Sequence, residues 1–237
     1  MLRALMIALF LLTTGCLDQS ADLPAGEVQQ AIEGGQDMKL LNDDLIEATL
    51  NRNQVEIKQL IQEGADINTV DASGRTPAMI AVHHKQLNVF NLLVELGADI
   101  NIRDQRSDNP LLYASAEGML DIVKAALAAN ADTTLTNRFG GTALIPAADR
   151  GHVDIVEELL EHSDVNVNHV NNLGWTALLE AVILGDGGER HQHIVELLIQ
   201  HGADVNLADG DGITPLQHAK QHGYTRMIDM LTAAGAQ

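Results

Sequence analysis

The sequence predicts an all-α fold: a solenoid of about six stacked helix-turn-helix repeats with β-turn fingers between them. Three observations carry this. A turn residue recurs at Gly74, Ser107, Gly140, Gly174 and Gly212, so successive copies lie 33, 33, 34 and 38 residues apart. Two residues past each turn stands a helix start: Thr76-Pro77, Asn109-Pro110, Thr142-Ala143, Thr176-Ala177 and Thr214-Pro215. The Thr or Asn side-chain oxygen accepts from free amides of the first turn, and proline suits the first helical position. Each copy then closes on one kind of loop, Gly64-Ala65-Asp66-Ile67-Asn68, repeated at 97–101 and 202–206 and more loosely at 130–134 and 163–168. A fixed period of this length marks units that bury their apolar faces only against their neighbours.

Read further, the helix starts become Thr76-Pro77-Ala78-Met79-Ile80-Ala81 and Thr214-Pro215-Leu216-Gln217-His218-Ala219, with degraded copies opening at Asn109, Thr142 and Thr176. Together with the closing loops they resemble the Thr-Pro-Leu-His-x-Ala pattern of the ankyrin repeat family over roughly residues 43–236. The stretches TALIPAADRGH (142–152) and GWTALLEAVILGDGG (174–188) resemble the exported bacterial members. The resemblance implies a finger, two antiparallel helices and a returning loop per repeat. It also implies a concave surface, lined by finger tips and first helices, that binds another protein.

At the amino terminus, Arg3 precedes the apolar run 4–12, too short to cross a bilayer permanently and suited to a signal peptide. It ends at Thr13-Thr14-Gly15-Cys16, which resembles a bacterial lipobox with Leu12 one place early. Residues 1–15 are therefore expected to be a lipoprotein-type signal peptide, and Cys16, the chain's one cysteine, to be lipidated. Residues 16–39, with Pro24 and Gly34-Gly35, read as a flexible tether, with room for a short helix near 27–32. Residues 40–237 form the repeat domain. Leu17 after the cysteine matches the sorting pattern for an outer membrane, so the chain is expected to face the periplasm from a lipid anchor.

The first repeat, from about Leu40, keeps only its helices, and its polar Asp43, Asp44, Glu47 and Arg52 suit a cap. The second spans 71–103. The third, 104–136, is the most eroded, with Ser107 and Asn109 in place of glycine and threonine. The fourth, 137–170, has one extra residue before its closing loop and carries Pro146 inside its first helix, where proline removes a backbone bond. The fifth, 171–208, has an insertion at 185–191 between its helices. The sixth, 209–237, is the second cap.

Composition narrows the function. The formal net charge of −19 disfavours phosphate backbones and anionic lipid surfaces, so no nucleic acid is expected and membrane contact is expected through the anchor only. No phosphate loop, zinc helix or nucleophile elbow is present, so the chain reads as a non-enzyme without cofactor. His191 and His193, and the pair His83-His84, are the residue types that ligate zinc or copper, but no full ligand set accompanies them. Asp209-Gly210-Asp211-Gly212 resembles the start of a calcium loop, yet Lys220 stands where the closing glutamate belongs. No metal site is expected.

Superposing the repeats isolates side chains free of core duty. Phe139, Leu173, Trp175 and Ile213 place large apolar groups on finger positions that normally face water. Arg75, Arg106, Arg138 and Arg150 gather scarce positive charge on the same face, either to grip a partner's carboxylates or to balance local acids. These eight residues are the expected partner-binding set, on a chain expected to act as a monomer. The expected function is a protein-docking module. Neutralising a toxin as an immunity protein, or assisting an envelope enzyme such as a catalase, are the alternatives.

Overall fold

Within each repeat, chemistry near the finger decides where the first helix begins. The finger opens on Asp71, Asp104, Asn137, Asn171 or Asp209, whose Oδ1 accepts from the amides two and four residues on, as at Asn171 from Leu173 and Trp175 (2.9 and 3.0 Å). The same pair of bonds forms at the other four. This turn needs a left-handed residue at its fourth position. Gly74, Gly140, Gly174 and Gly212 supply it, and Ser107 adopts it at φ 63°. The side chains of Thr76, Asn109, Thr176 and Thr214 then cap the helix by accepting from the amide three residues on.

The computed structural model of the chain describes residues 25–237, with side chains from Asp37 onward. The expected signal peptide and Cys16 lie outside the described residues. Twelve helices are formed among the described residues. They are α1 (Ala25–Leu50) and α2 (Gln54–Gln62) of the first repeat, α3 (Pro77–His83) and α4 (Leu87–Glu95) of the second, and α5 (Pro110–Ala116) and α6 (Leu120–Ala128) of the third. The fourth holds α7 (Leu144–Asp149) and α8 (Val153–His162), the fifth α9 (Ala177–Ile183) and α10 (Glu189–Gln200), the sixth α11 (Pro215–His222) and α12 (Thr225–Ala233). No strand is formed among the described residues. Residues 38–237 make one compact unit. The segment expected as a tether is helical from Ala25, because α1 runs through it; its Ala, Glu and Gln are good helix formers.

The core is thin. First helices contribute Ala78, Ala81, Ala114, Ala147, Ala177, Ala181 and Ala219, all buried, and second helices contribute Phe90, Leu93, Val123, Leu159 and Leu198. Small residues let first helices approach closely, while each buried Leu or Phe contributes roughly 1.5–3 kcal/mol.

Two sets of hydrogen bonds join neighbouring repeats. On one edge Asn42, Asn68, Asn101, Asn168 and Asn206 accept from the backbone amides of Asp66, Asp99, Asp132, Asp204 and Gln237. Thr134 interrupts this series, and there Thr133 bonds Asp164 instead (2.6 Å). Where first helices end, side chains of the next repeat reach back to a carbonyl: Gln86 to Leu50, His152 to Ala116, His191 to Asp149 and Tyr224 to Gly185. Gly118, Gly151 and Gly187 face the rings of His152, His191 and Tyr224, so a side chain there would displace a ring.

Two features differ from expectation. The insertion is only partly loop: Glu189–His191 belong to α10, which has 12 residues. In repeat four, Pro146 sits at the third residue of α7 and supplies no N–H to Thr142 O, the acceptor whose counterparts take Ile80, Tyr113, Glu180 and His218 amides. The helix begins one residue later than its counterparts, Ile145 N bonds Thr142 O at 3.2 Å, and the buried Thr142 hydroxyl is left without a partner.

Candidate docking groove

The finger turns of repeats four and five are pinned side by side by Asn172 N donating to Phe139 O (2.9 Å), each shaped by its own Asn137 or Asn171 turn, and the finger of repeat three lines the groove beside that of repeat four. Between them and the first helices runs a groove in two parts that share Asn137, Phe139, Pro146 and Asp149.

The part toward repeat five, about 220 Å³, has Phe139, Leu173, Trp175 and Leu184 around it and Pro146, Asp149 and Glu180 beneath. Phe139 and Leu173 are 53% and 58% exposed, and Trp175 is half-buried. Glu180 is buried at 5% exposure; its Oε1 accepts from Asn171 Nδ2 at 2.8 Å. Burial, and then the negative charge of Asp149, push its carboxyl up to about 7, against the pull of the Asn171 bond.

The part toward repeat three, about 250 Å³, is polar, with Arg106, Arg138 and Arg150 beside Asp108, Tyr113 and Glu117. Burial, and then Asp104, raise the Asp108 carboxyl. Arg150 is committed within the chain, to Ala116 O (2.8 Å) and Glu117 Oε1 (2.7 Å). Arg138 lies over the Phe139 ring, 4.6 Å from its centre. Arg106 and Arg138 make no ion pair among the described residues.

Of the expected set, Phe139, Leu173 and Trp175 are brought together, and Arg106, Arg138 and Arg150 flank them. Ile213 is half-buried on the sixth finger and does not line the groove. Arg75 is held on the second finger by Asp71, with Nε 2.8 Å from Oδ2. Burial raises the Asp71 carboxyl, but the hydrogen bonds from Arg75 outweigh it and leave it lowered. One histidine of each pair is engaged within the fold, and the other, His84 or His193, is exposed. His191 is buried, between Asp186 Oδ1 (3.1 Å) and Asp149 O (3.0 Å), the place His152 occupies one repeat earlier. The His83 ring packs against Tyr113, tilted by 35° with centres 3.9 Å apart, and burial, then Arg75, lower its pKa. No cluster of three metal-ligating side chains forms among the described residues.

Glu180 and Asp149 were not singled out from sequence. The available signal was an acid inside the otherwise apolar run Ala177-Leu178-Leu179-Glu180-Ala181. A larger polar crevice, about 360 Å³, lies between closing loops where Thr134 interrupts the asparagine series, and is lined by no Phe, Tyr or Trp.

The family described as "Ankyrin repeats (3 copies)" matches residues 24–104 and 111–209. A solved ankyrin repeat domain from Acinetobacter baumannii AYE is similar at 49% identity, covering 82% of this chain and 98% of that one, with a TM-score of 0.79. A second, the ankyrin repeat protein EF0377, is 40% identical over 79% of this chain and 96% of that one, with a TM-score of 0.75. The ankyrin repeat protein YahD of Escherichia coli K12 is 50% identical over 80 residues, which is 34% of this chain and only 40% of YahD.

Proposed function

Because the chain belongs to the ankyrin repeat family, we propose that it is a non-catalytic docking module that binds a folded partner through its fingers and first helices. What supports this reading is one observation: Phe139, Leu173 and Trp175 stand on adjacent fingers around one groove, two of them more than half exposed. Covering each such side chain contributes up to roughly 1.5–3 kcal/mol. The fingers are pre-formed by backbone-to-Asx bonds, which keeps the ordering cost of binding low. Capture of envelope proteins by the wild type and by the Trp175→Ala/Phe139→Ala variant tests this. A partner retained by the wild type and lost by the variant, with the two melting alike, is expected. A partner retained by both refutes the groove.

The second part of the proposal concerns place. The 4–12 apolar run and Cys16 support export and lipid anchoring on the periplasmic side of an outer membrane. Cys16→Ser is expected to move the protein from the membrane to the soluble fraction; unchanged partition refutes the anchor.

A further inference from the structure

The ninth residue after each finger's opening Asx stands in the first helix, and at Glu180 and His218 its side chain bonds that Asx. The series is Ile80, Tyr113, Pro146, Glu180 and His218. An apolar residue is therefore compatible with this register. In repeat six the position is polar and has its partner within the chain: His218 Nε2 lies 2.7 Å from Asp209 Oδ2. In repeat five the answer is incomplete. Glu180 meets Asn171, a neutral amide, through Oε1 alone among the described residues. Asp149, the other acid of the groove floor, belongs to none of the ion pairs among the described residues. Glu180, buried, and Asp149, half-buried, thus both line this apolar-walled half of the groove; Arg106, Arg138 and Arg150 line its other half and pair with neither. A buried carboxylate calls for a countercharge.

We propose that this half of the groove is a receptor for one basic side chain of the protein partner, a lysine or an arginine. Its alkyl stem lies between Phe139, Leu173 and Trp175, and its cationic head is met by Glu180 and Asp149. The space, about 220 Å³, accommodates one long side chain. Aromatic walls favour a cation as well as a stem. The raised Glu180 carboxyl is what an unanswered acid in this pocket should show, and the net charge of −19 draws a basic surface toward it. This inference rests on the docking reading above and adds the chemistry of the contact.

The test uses three blocked tripeptides, acetyl-Gly-X-Gly-amide, with X as lysine, arginine or norleucine. Norleucine keeps the stem and removes the charge. Binding to the full chain is followed by fluorescence and by the indole N–H resonance of Trp175, the sole tryptophan. Lysine or arginine is expected to bind about tenfold or more tighter than norleucine, the worth of charge-assisted hydrogen bonds. The Glu180→Gln/Asp149→Asn variant, checked for folding by circular dichroism, is expected to bring that ratio to about one without weakening norleucine. Equal binding of norleucine and lysine by the wild type overturns the proposal, as does no saturable response to any peptide at about 10 mM. A partner captured equally by the wild type and the Glu180→Gln/Asp149→Asn variant, yet lost by Trp175→Ala/Phe139→Ala, also overturns it while leaving the docking reading intact.

Discussion

Replacing Glu180 by glutamine is expected to stabilise the fold at pH 8 and to do much less in mild acid. The ordinary carboxyl value of 4.5 is raised to about 7 in the folded chain by burial and then by Asp149. The folded state therefore holds its proton more tightly than the unfolded chain does. The group's contribution to stability is complete below about 4.5, is lost as pH rises from there to about 7, and stays lost above. Each pH unit in that window is worth about 1.4 kcal/mol, so the full penalty is about 3 kcal/mol; water at the open groove reduces the expectation to about 2 kcal/mol. Glutamine carries no charge at either pH and retains an Oε1 for Asn171 Nδ2. The gain at pH 8 is expected to be about 2 kcal/mol, or roughly 4–8 °C in Tm for a domain of this size, and less than half of that at pH 5.5. The assay is urea and thermal denaturation of both proteins, followed by circular dichroism at the two pH values. Comparing Glu180→Gln with wild type cancels the other carboxylates of an acidic chain. An increment equal at both pH values, or a variant less stable than wild type at pH 8, refutes the argument.

Other variants test the local readings. Pro146→Ala returns an N–H to Thr142 O and frees the Thr142 hydroxyl to cap α7; a gain of about 1 kcal/mol in thermal melts is expected. Asn109→Thr keeps the cap of α5 and removes a buried Nδ2 that has no partner, so urea denaturation should show a gain of about 1 kcal/mol. His191→Ala is expected to lose about 2–3 kcal/mol by leaving Asp149 O unbonded, with no effect of EDTA on the wild-type melt; a melt lowered by chelator would instead restore a metal role for this histidine.

Much of the fold was legible because a few backbone conformations dictate residue identity. A left-handed turn residue, a capping hydroxyl and an N1 proline leave little choice of side chain, and their spacing exposes the period. The clustering of Phe139, Leu173 and Trp175 was legible for a related reason: the period puts Phe139 and Leu173 at matching positions of adjacent fingers, and Trp175 on the second of them. Other features depend on partners far along the chain. Arg75 and Arg106 look alike in sequence, but only Arg75 has an acid four residues earlier on its own finger turn. In sequence His191 is only a residue type that can ligate metal, beside His193 and without a full ligand set; its bond to the Asp149 carbonyl, 42 residues away, becomes visible only once the insertion is folded. Glu180 stands out in sequence only as an acid in an apolar run, and its surroundings, Asn171 and Asp149, come from other parts of the chain. The helical start at Ala25 was masked by Pro24 and by Gly34-Gly35, which weaken a helix without forbidding it.

The insertion at 185–191 changes how the stack comes apart. In a linear array each unit feels only the units on either side, and the end unit frays first. Here the insertion of the fifth unit reaches both ways: His191, in the first turn of α10, bonds Asp149 O in the fourth, and Gly185 O accepts from the Tyr224 hydroxyl of the sixth (2.9 Å). Asp186 ties the loop to itself through the Gly188 amide and His191. With His152 bonding Ala116 O one junction earlier, units three to six are linked without a break and are expected to open as one cooperative block. Amide exchange should report a common protection for α5 through α12, with the groove at Asp149 protected from fluctuations that begin at the chain's end.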